Sequence, residues 1–346
     1  MASILIAAIV GGAVATGVTL GILRLQARTN PQSVDLGSRV TVSEDSAITT
    51  VVLKAAPAVV SVTAQDRSAG LASGFLVTSD GYIVTNVAAI ANAAGISVLV
   101  NGDSRRHDAR IVDYDCEIGV AVLKVDQVAN EPTLAFGDSG GLKLGQNVVA
   151  VGGPLGDRVR RGIVSSLHRT LLLDAQGAGT GQVTDVIRTD SSVDPDISGG
   201  PLLNVGGQVV GVTGAGTSGG QPVSYGLSAS MIRPEVEQIV QSGQLVVPSL
   251  GVQTSELTPE ETSLHGGTAG SQIVLVRAGE PADMAGLKQG DMITALDDVK
   301  LDAAHPLGEV LRTLYRPGQR VNVTYTRGGT SDQKQVTLIG EHPRCQ

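Results

Sequence analysis

Three carboxylates within seven residues, Asp190, Asp194 and Asp196, form a group of chemically capable side chains close ahead of Ser198. Hard cations favour clustered carboxylate oxygens, so the stretch has the composition of a cation cradle. In a polar, glycine-bearing segment such a group is more often a solvated loop, and no metal or cofactor is expected. Two cysteines, Cys116 and Cys345, are too few for a disulfide framework. Either they pair across domains or they stay reduced. Five histidines, His107, His168, His265, His305 and His342, lie singly along the chain and read as surface or half-buried residues. The 25 basic against 33 acidic residues leave a net charge of -8, which argues against nucleic acid because phosphate binding needs a basic surface. The short clusters Arg105-Arg106 and Arg158 to Arg161 read as solvated loops.

The elements that must hold these residues are mostly strands. At 346 residues the chain suits two domains plus extensions. There are 45 glycines, no Trp and only two Phe, so short strands and tight turns are expected rather than a helical bundle. Val59 to Val62, Gly74 to Val77, Tyr82 to Val84 and Ile96 to Val100 are short β-rich runs, punctuated by turns such as Ser79-Asp80-Gly81. The rhythm continues through Ala109 to Val112, Val120 to Val125, Val148 to Gly152 and Gln208 to Thr213, as in a sandwich or barrel. One helix is expected over Ser230 to Ser242, with Ile232, Val236, Ile239 and Val240 at helical intervals and Gly243 as its stop. From about Val247 a mixed unit follows. It has strands at Gln272 to Val276, Asp291 to Leu296, Val321 to Thr326 and Gln335 to Ile339, and a helix over Leu307 to Tyr315.

Residues 4–23 are twenty uncharged, mostly apolar positions. At ~1.5 Å per residue they match a ~30 Å hydrocarbon core. A retained transmembrane helix is the expectation, with a polar linker over 24–47. The rival is a signal peptide cleaved after Ala27, although no basic residue precedes the apolar run. Arg24 and Arg28 would by themselves place the rest of the chain in the cytoplasm.

Three segments carry a family resemblance. Gly81-Tyr82-Ile83-Val84-Thr85-Asn86 resembles the strand GYILTN that leads to the catalytic histidine of the HtrA/Deg proteases. Ala121-Val122-Leu123-Lys124-Val125 resembles the strand after their aspartate. Ser198-Gly199-Gly200-Pro201-Leu202-Leu203-Asn204 resembles their serine motif. The resemblance spans roughly 48–341. It implies a mainly β fold: a chymotrypsin-like double β-barrel over 48–243, then a PDZ domain over 247–341. It also implies an extracytoplasmic globular part, against the arginine asymmetry. Family members often trimerise, so a homotrimer is an implied assembly.

Placed on the family pattern, Ser198 stands at the nucleophile position, but Ala88 replaces the histidine and Gly119 the aspartate. Asp196 replaces the glycine whose N–H serves the oxyanion hole. A serine nucleophile needs an adjacent base and a carboxylate that orients that base. In subtilisin, loss of the serine or histidine costs about 10⁶ in turnover. The surviving ~10³–10⁴ over water comes largely from the oxyanion hole and binding. Conventional proteolysis is therefore not expected. Ser249-Leu250-Gly251-Val252 resembles the PDZ loop whose backbone N–H groups hold a peptide carboxylate, with Ser249 in place of the usual bulky residue. The implied function is a membrane-anchored scaffold, adaptor or membrane-complex subunit that binds proteins or peptide C-termini. The alternatives are an active serine endopeptidase with a non-standard base and a chaperone-like holder of unfolded envelope proteins.

Overall fold

The computed structural model describes residues 43–65, 71–91, 93–101, 103–126, 128–172, 182–256, 269–302 and 305–343. The apolar segment over 4–23, most of the linker, His265 and Cys345 lie outside them. The chain divides into two units, Met1–Glu44 and Asp45–Gln346, and the architecture below belongs to the second. Among the described residues no helix is long and apolar enough to cross a membrane.

Helix α1, Ser43–Ala55, begins inside the segment read as linker. Its Ile48-Thr49-Thr50-Val51-Val52 run is β-branched, which is unfavourable in a helix. Val51 and Ala55, one helical turn apart, are both buried in the core between the barrels, and that packing decides for helix. Pro57 then tips the chain through a short 3₁₀ turn, Ala56–Ala58, into the first strand.

The first barrel is built from β1 (Val59–Ala64), β2 (Leu71–Leu76), β3 (Tyr82–Asn86), β4 (Ile96–Leu99), β5 (Arg106–Asp115) and β6 (Val120–Val125). They close in the order β1-β2-β3-β6-β5-β4. Its interior is filled by Val60, Val62, Leu76, Ile83, Val98 and Leu123, all without solvent exposure. A four-residue helix α2, Val87–Ile90, follows β3. The second barrel repeats the order as β10-β11-β12-β9-β8-β7. Its strands are β7 (Asn147–Gly152), β8 (Arg158–Leu172), β9 (Gln182–Thr189), β10 (Pro201–Asn204), β11 (Val209–Ser218) and β12 (Gln221–Ser228). The Arg158 to Arg161 cluster opens β8 rather than lying in a loop. A closed barrel leaves no unpaired edge, which suits a chain so rich in valine.

The expected helix is α3, Ala229–Ser242. It buries Met231, Ile232, Val236 and Ile239, and Gly243 caps it at φ 75° with its N–H on the Ile239 carbonyl.

The C-terminal part is opened and closed by one strand pair, β13 (Val247–Ser249) with β20 (Ile339–Glu341). Between them lie β14 (Val252–Glu256), β15 (Ser271–Val276), β16 (Met292–Leu296), β17 (Val299–Lys300), β18 (Arg320–Arg327) and β19 (Thr330–Thr337). The sheet order β14-β15-β16-β18-β19 puts β14 at one end. Helices α4 (Pro281–Met284) and α5 (Leu307–Leu314) complete the unit. Leu307, Val310 and Leu311 pack with Ile293, Val323 and Leu338 in its own core.

Candidate functional site

Strands β3 and β6 are paired with Asn86 opposite Val120. This register brings the turn that would hold a histidine beside the turn that would hold an aspartate: the Val87 N–H donates to the Gly119 carbonyl at 2.8 Å. Asn86 Oδ1 caps α2 by accepting from the Ala89 N–H at 2.9 Å. Ala88, on α2, is exposed and offers only a methyl group. Gly119 has φ +79°, a conformation that glycine adopts freely and aspartate only at a cost.

Ser198 is half-buried in the turn ahead of β10. Its Oγ accepts a hydrogen bond from Asn86 Nδ2 at 2.7 Å, and the same Nδ2 donates to the Thr213 carbonyl at 3.1 Å. The hydroxyl thus meets a donor where general-base catalysis would require an acceptor. Backbone contacts fix the turn to the first barrel. The Ser73 N–H donates to the Ser198 carbonyl at 2.9 Å, and Gly199 N–H donates to Thr213 at 2.8 Å. A Cβ on Gly199 would lie 2.3 Å from both the Ser73 carbonyl oxygen and Thr85 Oγ1, at a φ of +88°. Only glycine fits that approach of the two barrels.

An oxyanion hole needs N–H groups free to point at developing charge. The Ser198 N–H instead donates to the Asp194 carbonyl at 3.2 Å, as does the Ile197 N–H at 3.0 Å. The Asp196 carbonyl accepts from Ser73 Oγ at 2.5 Å and from the Gly153 N–H at 3.0 Å. The acidic stretch is a loop, with Asp190 exposed, but its carboxylates have partners. Asp196 pairs with Arg158 at 2.7 Å and Asp194 with Arg160 at 2.7 Å. Asp190 Oδ1 accepts from the Ile163 N–H at 2.7 Å. These carboxylates are held by partners of this chain. The carboxylate of Asp196 is drawn to Arg158, so its charge is compensated and does not stand alone at the site.

The histidines with described side chains are engaged elsewhere. His107 meets Asp103 at 2.9 Å, His305 meets Asp302 at 3.0 Å, and His342 meets Asp113 at 2.8 Å. Cys116, on the turn before Gly119, is disulfide-bonded.

In the C-terminal unit, Ser249-Leu250-Gly251-Val252 turns from β13 into β14. Gly251 takes φ +79°. The Leu250 and Gly251 carbonyls accept from the Ala282 and Arg277 N–H groups, both at 2.9 Å. The expectation that the loop donors stand free needs correcting: the Gly251 N–H donates to Ser249 Oγ at 3.0 Å. A hydroxyl where a bulky side chain was usual makes that bond possible.

One cluster escaped the sequence reading. Arg312 of α5 reaches across to the protease-like part, where Nη1 lies 2.5 Å from Asp115 Oδ2 and 2.5 Å from Glu235 Oε1, and Nη2 meets Glu117. Its side chain is 8 % exposed, and those of Asp115 and Glu235 are 0 % and 7 %. Burial opposes the guanidinium charge, but Asp115, Glu235 and Glu117 hold its pKa above the ordinary value. Burial, then the neighbouring Asp115 charge, pushes the Glu235 carboxyl well above its ordinary 4.5. The helical period marks only the apolar face of α5, so nothing in the sequence distinguished Arg312 from a solvated cation.

Comparisons with known proteins bear on this geometry. Residues 72–212 match the trypsin-like peptidase domain model, and residues 248–338 match the PDZ domain model. The probable periplasmic serine endoprotease DegP-like of Rhizobium meliloti (strain 1021) is 33% identical over 77% of this chain and 52% of its own length. The chain thus spans about half the length of the first curated relatives. The serine protease Do-like HtrA of Lactococcus lactis subsp. lactis (strain IL1403) is 30% identical over 75% of this chain and 67% of the relative. A solved structure, HtrA-type protease AlgW with tripeptide, superposes with a TM-score of 0.67 at 30% identity, covering 86% of this chain and 98% of that one. With its paired six-stranded barrels and the PDZ unit that follows them, this chain belongs to the HtrA family of trypsin-like serine proteases.

Proposed function

We propose that this chain works as a polypeptide-binding member of its family that does not cut what it binds. The observation that carries the reading is the donor at Ser198: Asn86 Nδ2 fills the acceptor side of the hydroxyl at 2.7 Å, with Ala88 and Gly119 in the positions of base and orienting acid. The Ser198 N–H engaged on Asp194 supports it, since a turn folded in this way offers little to an oxyanion. The PDZ unit supplies the binding function. β14 ends its sheet, and an extended peptide can add there as a further strand. Solved relatives carry a decapeptide or a tripeptide. Relatives named as periplasmic favour an extracytoplasmic globular part, tethered by the apolar segment over 4–23. Membrane-complex subunits are the partners this reading favours, and a homotrimer is its assembly.

A second reading has its own support. The named relatives are serine endoproteases, and by that standard an active endopeptidase with a non-standard base fits them better than a scaffold does. The intact Ser198-Gly199-Gly200-Pro201 turn also favours it. Digestion of reduced casein by the full chain, beside Ser198→Ala and with fluorophosphonate labelling, separates the two. The proposal expects neither cleavage nor label. Cleavage that vanishes in Ser198→Ala establishes the endopeptidase and ends the first reading.

A further inference from the structure

The stretch from Asp113 to Glu117, where β5 turns toward β6, is the seat of the C-terminal part of the chain. Asp113 Oδ2 accepts from the Leu245 N–H at 2.6 Å, and His342 Nε2 lies 2.8 and 2.9 Å from the two Asp113 oxygens. Asp115 and Glu117 both bind Arg312 of α5. Between them stands Cys116, which is disulfide-bonded. The sequence holds one other cysteine, Cys345. Cys345 lies outside the described residues, but the chain just ahead of it does not. His342 sits on Asp113, and Pro343 after it is buried. Cys345 follows His342 by three residues and Cys116 follows Asp113 by three, so each is within ~10 Å of chain from one shared contact. Cys116 is 4 % exposed and packs in the apolar cluster of the first barrel, which disfavours a bond to a second molecule.

We propose that Cys116 and Cys345 are joined to each other and that their bond is a redox latch. Oxidised, it holds the PDZ unit on the protease-like barrels; reduced, it leaves that unit on polar contacts that open and reclose. The bond forms by thiol–disulfide exchange in an oxidising compartment. The two thiols give up two protons and two electrons, the S–S bond of an oxidised dithiol protein breaks, and that protein leaves as a dithiol. A small dithiol reductant runs the same step backwards. The closed loop contains α3, the connection near Gly243 and the whole PDZ unit. Once it is closed, a broken Arg312 or His342 contact is remade within one molecule, at an effective concentration that dilution cannot lower. The latch is independent of whether Ser198 cuts, so it stands apart from the proposed function.

The test uses the full chain, exported to an oxidising compartment and purified without reductant. Iodoacetamide added before any reduction should modify neither cysteine, and digestion should yield a peptide carrying Cys116 joined to one carrying Cys345. Limited proteolysis near Gly243 then reads the latch, and dithiothreitol should speed nicking at least about tenfold. Cys345→Ser leaves the barrel core untouched and should nick at the reduced rate with or without dithiothreitol. Alkylated Cys116 in the unreduced chain, or a peptide joining two copies, overturns the pairing. A joined pair whose nicking rate is the same before and after reduction overturns the latch. Alkylation and reduction of the unaltered chain need no variant to fold.

Discussion

Arg312 and Asp115 are separated by 197 positions in sequence and meet at 2.5 Å. Asp115 ends β5 at the start of the turn that leads to Gly119, and its Oδ1 accepts from the Glu117 and Ile118 N–H groups at 2.7 and 3.2 Å. The turn that orients the catalytic carboxylate in active relatives of this fold is thereby tied to a helix of the PDZ unit. Breaking a buried ion pair from one side leaves uncompensated charge, at a cost of about 3–5 kcal/mol. Arg312→Ala should therefore lower the unfolding free energy by that order, read as a lower urea midpoint, and expose the connection near Gly243 to limited proteolysis. A variant as stable and as resistant as the parent would show that the clasp contributes nothing.

Within the clasp, Glu235 sets a pH dependence. Its folded-state pKa is raised above 4.5, so the folded protein holds this proton more tightly than the unfolded chain. The stability it contributes is complete below about pH 4.5 and is lost as pH rises through the folded-state value. Urea midpoints should show this as a fall with rising pH in the parent that flattens in Glu235→Gln. Identical slopes in the two proteins would remove Glu235 from the account.

Placing a histidine at Ala88 and an aspartate at Gly119, the positions the proposal assigns to base and acid, tests the oxyanion argument separately from the triad. A Cβ at Gly119 has room, its nearest neighbour being Leu227 Cδ1 at 3.6 Å, but φ is +79°. Gly119→Asp should cost about 1 kcal/mol for that conformation. Ala88→His with Gly119→Asp should still leave casein uncut, because the Ser198 N–H stays on Asp194. Adding Asp196→Gly should give the first measurable cleavage. Activity in the double variant would mean that the turn opens by itself.

Asn86 carries three hydrogen bonds, to the Ala89 N–H, Ser198 Oγ and the Thr213 carbonyl, and is 6 % exposed. Asn86→Ala removes a helix cap, the bond to Ser198 Oγ and one of the two donors to the Thr213 carbonyl, which keeps the Gly199 N–H. A loss of about 2–3 kcal/mol in chemical denaturation is expected. Ser198→Ala keeps the cap and the Thr213 bond, and should shift stability by less than about 1 kcal/mol.

The barrels and the PDZ sheet were readable because their strands alternate or run apolar between strong turn signals, and because Gly243 and Gly251 stand where left-handed backbone is needed. The proposed placing of Ala88 and Gly119 at the base and acid positions rests on short, ungapped distances from Asn86 and Val120. Other features were hidden for physical reasons. Helix α1 was not expected: its run at Ile48 to Val52 is β-branched, and the burial of Val51 and Ala55 together favours the helix. Arg158 and Arg160 looked like solvated charges because their partners Asp196 and Asp194 lie more than thirty residues away. Arg312 belongs to the same class, since long-range ion pairs leave no local pattern. Ser249 showed only as a departure from the family, and its bond to the Gly251 N–H became visible with the loop in place.

The tight turn after Ser198 has a consequence for mutational scanning. Gly199 and Gly200 each lack room for a single carbon, with backbone or hydroxyl oxygens 2.3 Å from where it would sit. Ser198 needs its side chain only to receive one bond from Asn86. In a saturation library scored for folded protein, the tolerance profile across this motif should run opposite to that of an active protease scored for turnover. The serine becomes the most replaceable position in its own signature, and the glycines, which touch no substrate, become the most constrained. A signature match at this turn then records how two barrels are fastened together and is silent on whether a bond is cut.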